Sequence, residues 1–217
     1  MNKELWIFGD SYAQAHPYCE YAYTELLKKD YNVINFAQGG SSVDWSIEQF
    51  LQAIKTKDTK NVYVLFCLTS VYRQYWNFFE TEEHHYLATH LGGGTTWRNI
   101  LTTNVGSYIA KYKEHRRFAK SFWNSIHPEW KEINEQKNVA IINMYAQLFK
   151  KVLIWPCFEE VNVDIKLDKR VTLKTKPLVE IHKILESPTQ DPRPNHMDEK
   201  GHKKMYKNLV EWIDEDV

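Results

Sequence analysis

Short apolar runs alternate with amphipathic stretches over the first 68 residues of the chain, and few architectures accommodate that order. Leu5-Trp6-Ile7-Phe8 is wholly apolar and stops at Gly9, the pattern of a strand buried on both faces. Pro17–Lys29 reads as a helix, with Tyr18, Ala22, Leu26 and Leu27 on one face and Pro17 in its first turn. Asn32–Phe36 is a second strand, closed by Gly39-Gly40. Ser41 or Ser42 then caps a helix in which Val43, Ile47, Phe50, Leu51 and Ile54 recur at helical spacing. Asn61–Leu68, rich in valine and aromatics, is the third strand. Strand, helix, strand, helix, strand implies a parallel sheet with helices on both faces, and ligands bind such sheets beyond the carboxyl ends of the strands.

The rhythm then breaks. Residues 70–104 hold Tyr72, Tyr75, Trp76, Phe78, Phe79, Tyr86 and Trp97, together with Gly92-Gly93-Gly94, and read as a long inserted loop of the lid or binding type. Its aromatics suit stacking on sugar rings or covering an acyl chain, and equally a satellite core that holds the loop down. Helices follow over about 105–126 and 129–150, split at Pro128. Val152–Trp155 is a fourth strand, ended by Pro156. Val161, Val163, Ile165 and Leu167 alternate within 158–176, as in an added hairpin. Pro177–Leu185 is a short helix, and Asp198–Ile213 a terminal one that buries Met205, Leu209, Trp212 and Ile213. With no repeat or linker, residues 1–217 read as a single α/β domain with the insertion at about 70–104.

Charge and cysteine content remove several function classes. Lys plus Arg equals Asp plus Glu at 28 each, so the chain lacks the basic excess of a non-specific nucleic-acid binder. The basic run Lys111–Lys120 fits the solvated face of a helix. Three scattered cysteines, Cys19, Cys67 and Cys157, support neither a disulfide framework nor a zinc site. His84, His85 and His90 lie among Glu80, Glu82 and Glu83 and read as a solvated loop face rather than a metal site. No apolar run is long enough for a membrane span, and no signal peptide is seen, so a cytoplasmic setting is the expectation.

The chemistry concentrates at two places far apart in the chain. Gly9-Asp10-Ser11 directly follows the first strand, so Ser11 sits on a turn at the top of the sheet, where its own N–H can help to hold an oxyanion. Near the other end, His196 lies on a loop stiffened by Pro192 and Pro194, just before the terminal helix. Imidazole titrates near neutrality and is the usual acceptor of a serine proton. His202 competes for that role but falls inside the helix, with poorer access to the crevice.

These residues resemble the sequence blocks of the SGNH hydrolases, also called GDSL esterases. Gly9-Asp10-Ser11 matches the first block, and a glycine after the second strand, Gly40 or Gly39, matches the second. His196 followed by Gly201 reproduces the spacing of the last. The resemblance implies an α/β/α sandwich of the SGNH/flavodoxin-like kind around a parallel sheet of about five strands. It also implies an exposed ester-hydrolysing site without cofactor, whose oxyanion is held by the serine N–H, the glycine N–H and an asparagine side chain.

The chain departs from the family pattern twice. After the third strand it reads Leu68-Thr69-Ser70-Val71-Tyr72-Arg73, with no asparagine, so a hydroxyl of Thr69 or Ser70 is the expected replacement and Arg73 lies beside them. Three residues before the histidine stands Arg193, and the nearest acid is Asp191, which either orients His196 or leaves a Ser–His pair held by a backbone carbonyl. The expected activity is hydrolysis of small acyl esters through an acyl-enzyme on Ser11, with a carbohydrate O-deacetylase as the leading case. An O-acyltransferase and a non-catalytic carbohydrate-binding module on the same fold are the alternatives. A flavodoxin-like nucleotide site is disfavoured, because the first strand is not followed by a Gly- or Ser/Thr-rich phosphate loop.

Overall fold

A computed structural model describes residues 3–14, 19–39, 41–70, 129–181 and 197–215. Five strands form one parallel sheet: β1 (Glu4–Gly9), β2 (Asn32–Asn35), β3 (Val62–Leu68), β4 (Lys151–Pro156) and β5 (Val171–Leu173), in the order β2-β1-β3-β4-β5. The registers Glu4↔Asn32, Glu4↔Val62, Tyr63↔Lys151 and Val152↔Val171 set all carboxyl ends on one edge. The order reverses between β1 and β3, which creates a crevice above those two strands.

Alternate residues of the central strands feed two separate cores. Leu5, Ile7, Leu65, Cys67, Leu153 and Trp155 face α1 (Tyr23–Leu27) and the terminal helix, while Trp6, Phe8, Val64, Phe66, Val152 and Ile154 face α2 (Val43–Thr56) and α3 (Trp130–Tyr145). Both faces are therefore covered, and the chain is a three-layer α/β/α sandwich. Phe8 anchors the second core: it stacks on Phe36 and Phe66 at 4.8 and 5.0 Å between ring centroids and meets Phe50 edge-on. Fully burying one such ring contributes about 1.5–3 kcal/mol.

Local chemistry fixes the helix ends. Ser42 caps α2 by accepting the Trp45 N–H at 3.2 Å. After the short α4 (Leu178–Ile181), the terminal helix α5 (Glu199–Asp214) is capped by Asp198, which accepts the Gly201 N–H at 2.7 Å. The last carbonyls of α5 receive the buried Lys151 ammonium, which donates to the carbonyls of Trp212 and Glu215. A cation there complements the negative end of the helix.

Three expectations from the sequence need correction. The first helix is Tyr23–Leu27 rather than Pro17–Lys29: Ala22 is extended (φ −52, ψ 135), and the Tyr23 N–H goes to His202 Nδ1 instead of continuing a helical ladder. The segment 158–176 is not a hairpin. Val161, Val163, Ile165 and Leu167 pack on the α2/α3 core as extended chain, and Asn143 of α3 serves their backbone, donating to the Lys166 carbonyl (3.2 Å) and accepting the Asp168 N–H (2.7 Å). The chain then enters the sheet at Val171 as a fifth parallel strand. The 129–150 helix ends at Tyr145 and tightens into a 3₁₀ turn, Ala146–Leu148. The insertion at 70–104 and the helix at 105–126 lie outside the described residues, apart from Ser70.

Gly9 makes the exit from β1. Its φ of +154 is strained for any L side chain, and a Cβ there would meet Cys67 Cβ and the Cys67 carbonyl at 2.8 Å. Gly9→Ala is expected to lower stability by about 2–5 kcal/mol in denaturant titrations, from combined strain and overpacking.

Candidate active site

Beyond Gly9 the backbone closes one helical turn, with the Asp10 carbonyl accepting the N–H groups of Ala13 (3.0 Å) and Gln14 (2.9 Å). Ser11 is therefore the first residue of a turn that starts at the carboxyl end of β1, half-buried at the edge of the β1/β3 crevice. Asp10, the residue before it, is fully buried. Its Oδ1 accepts the Tyr12 N–H at 3.0 Å, and its Oδ2 accepts the Thr69 hydroxyl at 2.8 Å. The Cys157 thiol, at the end of β4, lies 4.0 Å from Oδ1. A charge-assisted hydrogen bond of this kind contributes about 1.5–3 kcal/mol, and a buried carboxylate without such partners would be costly.

A second turn comes from the β2–α2 connection. The Ser41 N–H bonds to the Gln38 carbonyl at 3.0 Å, which puts Gly39 and Gly40 between them in sequence. This turn is stitched to the first: the Gln38 N–H and the Ser41 hydroxyl both donate to the Gly9 carbonyl at 3.0 Å, and Asn35 Nδ2 donates to the Ala13 carbonyl at 2.8 Å. The Gly39 N–H donates to Gln14 Oε1 at 2.8 Å. A Cβ built on Gly39 would stand 3.8 Å from Ser11 Cβ, so the serine and the glycine turn are neighbours.

Of the sequence-derived site residues, the structure sets Ser11 beside Gly39, and Thr69 against Asp10, the residue before Ser11. Thr69 is buried with its proton committed to Asp10. Ser70 is half-buried and donates to Glu159 Oε1 at 3.3 Å. Gly40, Arg73, Asp191 and His196 fall outside the described residues. His202 lies within α5, 5% exposed, accepting the Tyr23 N–H at 3.3 Å and stacking on the Tyr23 ring. It supports the start of α1 rather than the crevice. Tyr23 itself is buried in the core of the same sheet face, its hydroxyl 3.4 Å from Cys67 Sγ. Burial, reinforced by Cys67, pushes its phenol well above the usual value, so it stays neutral.

Sequence reasoning missed the stitching residues. Asn35 carries a readable signal, an asparagine ending a strand just before a glycine pair, where its side chain can bridge neighbouring backbone. Gln14 and Ser41 carry none, because their partners are distant in sequence.

A hollow beside the site, lined by Val43, Leu68, Thr69, Ser70, Glu135, Asn138, Pro156, Glu159 and Val161, separates the β3 and β4 ends from α3. Lys131 bridges Glu159 at 2.8 Å and Glu135 at 3.7 Å. Burial raises the Glu135 carboxyl above its ordinary 4.5, the Glu159 charge adds to this, and Lys131 opposes it. Among the described residues no cluster of His, Cys, Asp and Glu is placed to hold a metal, and no helix is long and apolar enough to cross a membrane.

No family model and no curated protein matches the chain. Solved structures do. The psychrotrophic esterase EstA from Pseudoalteromonas sp., in a form inhibited by monoethylphosphonate, is similar over 98% of this chain and 100% of its own, with a TM-score of 0.50 at 10% identity. A member of the lipolytic protein G-D-S-L family from Veillonella parvula is similar over 96% of both chains, with a TM-score of 0.47 at 12% identity. The resemblance read from the sequence blocks thus extends to the fold.

Two measurements probe this geometry. Thr69→Val keeps the shape but leaves Asp10 short of a donor, and is expected to lower stability by about 1.5–3 kcal/mol, with Thr69→Ser recovering most of it. Glu135→Gln tests the buried acid. A folded-state value above the ordinary one means that the fold favours the protonated form, so stability is fully present below pH 4.5 and falls as pH rises through the raised value. The glutamine variant should therefore be the more stable at pH 7, with the advantage fading below about pH 4.5 in pH-dependent melting.

Proposed function

We propose that the chain is a serine ester hydrolase of SGNH type, acting on small acyl esters through an acyl-enzyme on Ser11. The observation that carries this reading is the position of Ser11: first in a helical turn at the end of β1, beside the glycine turn, at the reversal of strand order. The likeness to an esterase structure over essentially the whole chain supports it.

In the mechanism, His196 takes the Ser11 proton as the hydroxyl attacks the ester carbonyl. The Ser11 and Gly40 N–H groups hold the oxyanion, and water then releases the acyl group. Gly40 is the preferred block-two donor because the Gly39 N–H is already bonded to Gln14. Ser70 is the preferred third donor: its 3.3 Å bond to Glu159 is longer and less buried than the 2.8 Å bond that holds the Thr69 hydroxyl on Asp10. Arg73 lies three residues further on, where it suits a polar substrate. Asp191 orients His196. An acetylated glycan is the substrate class we favour, and transfer to a sugar hydroxyl differs only in what attacks the acyl-enzyme.

One observation favours a second reading, a binding module without efficient chemistry. Both hydroxyls after β3 donate to carboxylates, and losing a third oxyanion donor costs about 10²–10³ in turnover.

Hydrolysis of p-nitrophenyl acetate separates the two. Ser11→Ala and His196→Ala should each lower the wild-type rate by about 10³ or more, as loss of a triad member does, with circular dichroism unchanged. His202→Ala should cost stability and little of the rate. Asp191→Asn should also cut turnover strongly, and a change below about tenfold would leave a Ser–His pair. A wild-type rate equal to that of Ser11→Ala would favour the binding module.

A further inference from the structure

The hollow between the β3 and β4 ends and α3 carries a mismatch that the ester chemistry does not use. Asn138, 3% exposed, lines it, and the Asn138 Oδ1 is buried with no hydrogen-bond partner. One turn earlier on the same face of α3, Glu135 also lines the hollow. It is 7% exposed and meets Lys131 at 3.7 Å, longer than a hydrogen bond. Leaving buried acceptors short of donors is costly, and here two of them stand on one hollow.

The surrounding groups define what would serve them. The Thr69 hydroxyl is committed to Asp10, the Ser70 hydroxyl donates to Glu159 Oε1, and Lys131 holds Glu159 Oε2 at 2.8 Å. Two carboxylates thus share one lysine, and the local charge is negative once Glu135 ionises. Burial holds the Glu135 carboxyl above its ordinary 4.5, as expected of an acid short of donors and of positive charge. Val43, Leu68, Pro156 and Val161 give the hollow an apolar wall. The matching occupant therefore donates protons, carries positive charge and has an apolar stem. Free space admits a head group of about the size of a water molecule. A divalent cation matches poorly, since among the described residues no three His, Cys, Asp or Glu side chains converge.

We infer that this hollow is a binding site for a primary alkylammonium group, whose N–H bonds go to Asn138 Oδ1 and the Glu135 carboxylate while its stem lies on the apolar wall. A water molecule could satisfy the same two acceptors but would leave the negative charge unbalanced. The site lies beside the crevice that holds Ser11. Strands β1 and β3 run in register as far as Gly9↔Cys67, and Ser11 and Thr69 each stand two residues beyond that pair. The inference goes beyond the esterase reading and does not depend on it.

Isothermal titration of the whole chain with n-propylammonium chloride tests it, against tetramethylammonium and sodium chlorides at matched ionic strength and neutral pH. The n-propylammonium ion should bind saturably. Tetramethylammonium, which has the charge and no N–H, should bind more weakly by about tenfold or more. Glu135→Gln and Asn138→Leu should each weaken n-propylammonium binding by about tenfold or more. Both variants should melt at or above the wild-type temperature, because each removes a buried group that lacks adequate partners, so lost binding is not lost folding. No saturable binding, equal binding of tetramethylammonium or sodium, or an affinity that neither variant changes overturns the inference and leaves the hollow to a structural water only. No ester takes part, so each of these results leaves the esterase reading where it stands.

Discussion

The Asp10 carboxylate is the interaction on which the site depends. It sits at zero exposure under the turn that carries Ser11, and it draws donors from three strand ends: Tyr12 beyond β1, Thr69 beyond β3 and Cys157 beyond β4. A buried anion is tolerated only where donors surround it, so folding must bring these strand ends into register before the carboxylate is satisfied. The acidic residue of Gly-Asp-Ser thus organises the site, and the serine is what it presents.

Gly9 completes this arrangement from the backbone side. Its positive φ and its contact with Cys67 turn the chain out of β1 without a side chain in the way, and its carbonyl receives both Gln38 and Ser41. The turn that carries Ser11 and the glycine turn are therefore bonded to a single peptide, the adjacency on which the proposed esterase reading rests. The strand order explains why they meet: β2 and β3 flank β1, so the connections that leave β1 and β2 end side by side above the reversal.

Much of this was legible in the sequence, and the reasons for the failures are physical. The first three strands and α2 follow from apolar runs and helical periodicity that need no tertiary information. The shortened α1 does not. Its start is set by His202, 179 residues away in sequence, which takes the Tyr23 N–H. The hairpin expected within 158–176 failed because alternation reports one buried face and not a partner strand; here Asn143, a side chain on a helix, bonds the backbone instead. In the site, Ser11 and the glycine pair were readable as local motifs. The commitment of Thr69 to Asp10 was not, since it depends on two strand ends meeting.

The account stands on Ser11 being an activated nucleophile, and covalent trapping reads that directly. Treating the wild-type protein with a fluorophosphonate and mapping the adduct by peptide mass spectrometry should give one modified residue, Ser11, with labelling suppressed in His196→Ala while the fold is retained. Labelling of another residue, or none under conditions that modify a known serine esterase, would contradict it.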